Sequence, residues 1–337
     1  MRDLATLPKG HLHVHIDACM RPSTLRELAR RDGVPVPDVD HSASSGFEKF
    51  AGVYFAACDV VRSEDDLRRV VRETVEDAAA RGVAWLEPQY YPPDHRPRLG
   101  PDEHQVEVVL DEGRRSASAH GLGFGLMLVG DRSRDVALAL DQARLAATYA
   151  GDGVVAFGLA NDEAHFPPEP FADAFRVARD AGLLSTPHAG ELAGPKSIIG
   201  ALDALGADRI QHGVRAFEDP DLVRRLSDEG ICCDVCPTSN VLLGVVPSLE
   251  QHPLGRLLDA GVPCSVNADD PLLFETNVAE EYERCRDAMG FDDARLAAIA
   301  RTSIDASGAP DDLKRDVRAR IDAWLHDPAR LGHEPAP

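Results

Sequence analysis

Eight short β-rich runs separated by amphipathic stretches, polar clusters where four of those runs end, and the lack of any glycine-rich phosphate turn together predict an α/β fold. The expected architecture is a (β/α)8 barrel of the TIM type, formed as one domain over 1–337. Candidate strands are His11–Ile16, Val83–Gln89, Gly125–Gly130, Val154–Leu159, Leu183–His188, Arg209–His212, Ile231–Cys236 and Pro263–Asn267. Strands that alternate with helices need a parallel sheet, because right-handed crossovers lay each helix on its outer face, and eight such units close into a barrel. The competing open, doubly wound sheet would carry G-x-G-x-x-G or a P-loop after an early strand, and neither occurs.

Taken in order, the first strand places His11, His13, His15 and Asp17 on one face and Leu12, Val14 and Ile16 on the other. A polar row in a central strand is costly to bury without partners, and a cation is the economical one. His13 and His15, two residues apart, can reach a single metal ion. After the first helix, residues 34–46 form a polar, breaker-rich insertion, followed by Phe47, Phe50 and Tyr54 at i, i+3 and i+7. That stripe reads as core packing or, with the whole 34–62 stretch, as a lid over the barrel mouth. The segments Glu64–Arg81 (Leu67, Val70, Val71, Val75) and Pro220–Glu229 (Leu222, Leu226) repeat apolar residues at helical spacing. The fifth, sixth and eighth strands end in His188-Ala189-Gly190-Glu191, His212-Gly213 and Asn267-Ala268-Asp269-Asp270-Pro271. With the first strand these make four clusters at C-terminal strand ends, where a barrel gathers its catalytic groups.

Composition narrows the partners. The 337 residues hold 36 Lys+Arg against 57 Asp+Glu, a formal charge of −21, which repels phosphate backbones and anionic lipid. A small-molecule substrate is expected, with neither nucleic acid nor membrane as partner. The first twenty residues show no apolar run behind a basic start, and no later segment approaches the ~18 apolar residues of a membrane span, so a cytoplasmic protein is expected. Seven cysteines, an odd number in a chain that needs no staples, read as free thiols. Cys233 and Cys236 form a C-x-x-C without a second ligand pair, which reads as buried strand cysteines.

Three imidazoles (His13, His15, His188) and one carboxylate (Asp269) match the ligands that hold Zn²⁺ with room for a water, whose pKa the ion lowers towards ~7. Glu191 and His212 remain as acid/base groups, and Asp270 as a group that binds substrate or holds a proton.

The motifs LPKGHLHVHID (7–17), HAGE (188–191), RIQHG (209–213), CPTSN (236–240) and SVNADDP (265–271) resemble the adenosine/adenine/AMP deaminase family of zinc aminohydrolases, in order from residue 7 to about 290. The resemblance implies one zinc per chain on His13, His15, His188 and Asp269. It also implies protonation of purine N1 by Glu191, attack at C6 by a zinc-activated water oriented by His212, and a hydrogen bond from Asp270 to N7. Asp17, Asn161, Gly190 and Asp270 are the substrate-binding residues it implies. Two departures bear on the substrate. In Gly158–Glu163, the family's usual D-L-x-G-x-E segment, Asn161 replaces a glycine, and it either reaches the purine or is a turn residue in the left-handed region. Ala18-Cys19 replaces a glycine and a small residue after Asp17. Asp at 17 resembles nucleoside-cleaving members, where it faces the ribose 5′-hydroxyl, whereas members acting on adenine tend to have Glu. The expected activity is therefore deamination of adenosine or deoxyadenosine. The alternatives are adenine or a 5′-modified adenosine such as aminofutalosine, a catalytically silent nucleoside-binding barrel, and a hydrolase of another bond.

Overall fold

The computed structural model describes residues 1–39 and 46–326. Ten short strands build the expected (β/α)8 barrel: β1 (Lys9–His11), β2 (Val83–Leu86), β3 (Gln89–Tyr90), β4 (Gly123–Phe124), β5 (Leu126–Asp131), β6 (Val154–Ala160), β7 (Leu184–Ala189), β8 (Arg209–His212), β9 (Cys232–Val235) and β10 (Cys264–Val266). All pairings are parallel, in the orders β1-β2-β4 and β10-β9-β8-β7-β6-β5-β3. The second expected strand is divided because Pro88, without an N–H, interrupts the ladder, while the third is found whole as β5, with the short β4 preceding it. Pairing resumes on both sides, with Gly125 N–H donating to Leu86 O and Met127 N–H to Pro88 O.

The first strand is shorter than its alternation predicts. Regular pairing stops at His11, and Val14 and His15 continue as single bridges to Asp269 and Gln89. Those bridges close the ring: His15 N–H donates to Asp269 O (3.1 Å), Asp269 N–H to His13 O (3.1 Å), and Leu12 N–H to Asn267 Oδ1 (2.7 Å). The polar row is accordingly shared out. His11 Nε2 accepts the Ala268 N–H, Asp17 accepts from His95, and only His13 and His15 converge on Asp269.

Helices cover the outside. Glu64–Ala80 starts at a Ser63/Asp66 capping box, and Leu67, Val70, Val71 and Val75 are buried, as their spacing predicts. Helix Phe47–Cys58 lies over the C-terminal mouth, where Phe50 stacks on Phe274 with centroids 5.2 Å apart. The insertion expected before it lies partly outside the described residues, at 40–45. Within the barrel, Arg209 is buried between Glu87 Oε2 (2.7 Å) and Asp234 Oδ2 (3.0 Å). Burial works against its charge, and the two carboxylates more than offset it. All seven cysteines are free, with Cys233 and Cys236 buried. Among the described residues no helix is long and apolar enough to cross a membrane.

Candidate active site

A cavity of about 90 Å³ opens at the C-terminal ends of the strands. His15, His188, Glu191, His212, Asp269 and Asp270 line its polar side, and Phe47, Phe50, Tyr54 and Phe55 cover it from the overlying helix. Every cluster read from the strand ends therefore contributes. Three of the positions involved, Asn161 (φ 81°), His212 (φ 64°) and Asp269 (φ 60°), occupy the left-handed region that L-residues rarely adopt.

The donor set can be tested against a metal from its own hydrogen bonds. His13 Nδ1 lies 3.0 Å from Asp234 O, and His188 Nδ1 lies 2.9 Å from Leu159 O. A carbonyl only accepts, so each ring donates from Nδ1 and, when neutral, presents a lone pair at Nε2. Those two Nε2 atoms are 3.1 Å apart. Asp269 Oδ1 sits 3.2 Å from His13 Nε2 and 3.4 Å from His15 Nε2. Burial and the neighbouring histidines push His188 well below its ordinary value, so it stays neutral. Burial also presses His13 down, but the Asp269 carboxylate more than offsets it. The cluster calls for positive charge, and three imidazoles with one carboxylate fit zinc, with the His13 and His188 rings oriented by backbone carbonyls.

Glu191 is buried beside this cluster, its Oε1 3.4 Å from His212 Nε2. Burial, then Asp269, Glu163 and Asp270, hold its carboxyl well above the usual range, which suits a group that must carry a proton to a substrate. Asp270 also lines the cavity, and its Oδ1 is buried without a hydrogen-bond partner. Such an atom is poised for a ligand.

Two expected substrate contacts lie elsewhere. Asp17 is not among the lining residues; its Oδ1 accepts from His95 Nε2 at 2.9 Å. Gly190 is likewise away from the cavity lining, with its N–H directed to Glu163 Oε1. Asn161 does line the cavity, but its Oδ1 accepts the Asp162 N–H and its Nδ2 donates to Ser133 Oγ, the turn-residue reading of that position.

Glu163 is the functional residue that motif reading passed over. Its Oε2 accepts from the N–H groups of Glu191 (3.0 Å), Leu192 (2.7 Å) and Ala193 (3.0 Å), so with Gly190 it gathers four successive amides and shapes the loop that carries Glu191. Its place at the end of the Gly158–Glu163 segment was the available signal.

The model of the family described as adenosine deaminase matches residues 8–324. A Streptomyces coelicolor protein, provisionally named adenosine/adenine deaminase, is 44% identical over 96% of this chain and 98% of its own. Among solved structures, an adenine deaminase from Arthrobacter aurescens superposes with a TM-score of 0.89 at 32% identity, covering 94% of this chain and 99% of that one. An amidohydrolase from Burkholderia ambifaria with bound Zn gives a TM-score of 0.87 at 30% identity, covering 96% and 91%.

Proposed function

The chain belongs to the adenosine deaminase family and is a zinc-dependent hydrolase deaminating adenine- or adenosine-type purines, and from that premise we propose that its preferred substrate is free adenine, converted with water to hypoxanthine and ammonia. The observation that carries this choice is Asp17: the expected partner of a ribose hydroxyl is already engaged by His95 at 2.9 Å and does not line the cavity. The relatives named as adenine deaminases, at 36% identity in Rhizobium leguminosarum, support the same reading.

His13, His15, His188 and Asp269 would hold the zinc, which when bound supplies Lewis-acid activation of water. Glu191, protonated by virtue of its burial, gives its proton to purine N1. That withdraws electrons from C6 and allows water to add there, one water proton passing to the Glu191 carboxylate and restoring its acid form; the proton of the new C6 hydroxyl then moves to the amino nitrogen, the C6–N bond breaks, ammonia leaves and C6 keeps the oxygen as its carbonyl. Asp270, whose carboxyl burial and then Asp269 hold well above the usual range, carries a proton and donates a hydrogen bond to N7, which fixes the ring in its plane. His212 faces the position of the incoming water. The Phe47–Cys58 helix acts as a lid that excludes bulk solvent.

Adenosine is the second reading, favoured by the Asp94 and Asp131 carboxylates on the cavity wall, which could receive ribose hydroxyls. Measuring kcat/KM for adenine, adenosine, deoxyadenosine and AMP by the ultraviolet change on deamination separates the two. A higher value for adenosine would overturn the adenine proposal. Glu191→Gln is expected to retain zinc and lose turnover, and full activity in that variant would remove Glu191 from the mechanism.

A further inference from the structure

A chain of four hydrogen-bonding groups runs from a backbone amide into the cavity, and its direction is set at the far end. The Leu254 N–H lies 3.1 Å from His252 Nδ1. A backbone N–H only donates, so His252 Nδ1 must present a lone pair, and the neutral ring carries its proton on Nε2. That Nε2 is 3.2 Å from the Asn240 side-chain oxygen, which can only accept. The orientation of the Asn240 amide follows, leaving its NH₂ towards His212 Nδ1 at 3.2 Å. Nδ1 of His212 must then accept as well, which puts the proton on Nε2, the atom that faces Glu191 Oε1 (3.4 Å) and Asp269 Oδ2 (3.8 Å). Each link is forced by the one before it, so the amide orientation and both tautomers follow from the fixed polarity of one backbone N–H.

We propose that His252 and Asn240 are positioning residues that lock His212 as its Nε2–H tautomer, so that His212 acts on the cavity as a hydrogen-bond donor rather than as a metal ligand or proton acceptor. All three side chains are buried, which protects the relay from competing water. The far end of the relay is held in the neutral form it needs, since burial alone lowers His252 to about 4. The relay also decides between two overlapping donor sets. His13, His212, Cys236 and Asp269 lie as close together as His13, His15, His188 and Asp269. A ring protonated at Nε2 has no lone pair there to give, so the first set is excluded and the second remains. A donor at this place would orient the lone pairs of an incoming water oxygen, a task a lone-pair nitrogen cannot perform.

The test uses the zinc-loaded full chain labelled with ¹⁵N in its histidine rings, and long-range ¹H–¹⁵N spectra that distinguish protonated from unprotonated ring nitrogens, with His212 assigned by its loss in His212→Gln. The expected parent spectrum shows His212 with an unprotonated Nδ1 and a protonated Nε2. Asn240→Asp keeps the shape but replaces the donor with a carboxylate, so the proton is expected to move to Nδ1. Turnover should then fall on the order of 10³- to 10⁴-fold, as a reversed tautomer does in a hydrolase triad. His252→Ala should lower kcat roughly 10- to 100-fold with zinc content retained, and His252→Gln, which restores an N–H towards Asn240, should recover most of it. A parent His212 protonated at Nδ1, or an Asn240→Asp variant that keeps the Nε2–H form, overturns the proposal. So does His252→Ala with full turnover. The spectra do not depend on which purine is the substrate, so a failure of the adenine assignment leaves this test intact. Should His252→Ala not fold, Asn240→Asp still decides.

Discussion

Replacing Glu163 by Gln tests whether one buried carboxylate sets the geometry of the acid loop. The carboxylate accepts four backbone N–H groups, one at Oε1 and three at Oε2, and is almost fully buried. A glutamine keeps the three bonds to its oxygen, at about half the strength of charge-assisted ones. Its NH₂ then faces the Gly190 N–H, leaving one buried donor unsatisfied at about 1–3 kcal/mol. Together these give an expected loss of about 2–5 kcal/mol, a large share of the 5–15 kcal/mol typical of a folded protein. Urea unfolding of the zinc-loaded chain reads it directly. Because this loop carries Glu191 and follows directly on His188, a displacement of about 1 Å should lower kcat/KM on the order of 10²-fold at unchanged zinc content. The pH profile should move too. Glu163 is one of the charges that raise Glu191, so its neutralisation lowers Glu191's pKa. Since the protonated carboxyl is the active form, the limb on which kcat/KM falls with rising pH should shift to lower pH. Unfolding within about 0.5 kcal/mol of the parent, together with kcat/KM within about twofold, would refute the reasoning.

Lys9 is buried at the N-terminal end of the barrel and lowered to about 7 by burial, with Asp3 opposing. The unfolded chain therefore binds the extra proton between about pH 7 and the ordinary lysine value of 10.5, and parent stability minus that of Lys9→Met should rise with pH through that window; a flat difference would show that Lys9 titrates normally. Arg209→Met strands Glu87 and Asp234 without their cation and should cost about 3–5 kcal/mol in the same unfolding assay, with a loss below about 1 kcal/mol arguing that the buried ion pairs are dispensable. Asn161→Gly keeps the left-handed turn and should preserve both the substrate ranking and stability to within about 1 kcal/mol, whereas Asn161→Ala should be destabilised by about 1–2 kcal/mol. A changed ranking in the glycine variant would make Asn161 a substrate contact.

What was legible in the chain was local. The H-x-H pair, the HAGE and ADDP clusters and the strand–helix alternation each lie within a few residues, and a barrel brings strand ends together whatever the sequence between them. Contacts between distant segments left no such trace. Asp17 and His95 are 78 positions apart and Glu163 and Gly190 are 27 apart, so the diversion of Asp17 from the cavity depends on where two loops meet. Arg209 looked like an ordinary strand residue in RIQHG, and only the closed barrel places it between Glu87 and Asp234. Even the polar row of the first strand was read too uniformly: alternation predicts a shared face, but not that His11 and Asp17 would find partners of their own.

The left-handed residues explain how adjacent side chains serve one cavity. In an extended strand, neighbours such as Asp269 and Asp270 point to opposite sides. Both line the cavity here, because φ 60° at Asp269 breaks the alternation directly after β10. That conformation costs an L-residue roughly 1–2 kcal/mol, and it persists only where the surroundings over-determine it. At Asp269 they do: its N–H donates to His13 O and its carbonyl accepts from His15 N–H, both at 3.1 Å. These are the same two bonds that close the barrel between β10 and the first strand, and they come from the two histidines of the H-x-H pair. Ring closure and the convergence of His13, His15 and Asp269 are therefore one structural event. A glycine at 269 would relieve the backbone while removing the carboxylate on which those histidines converge.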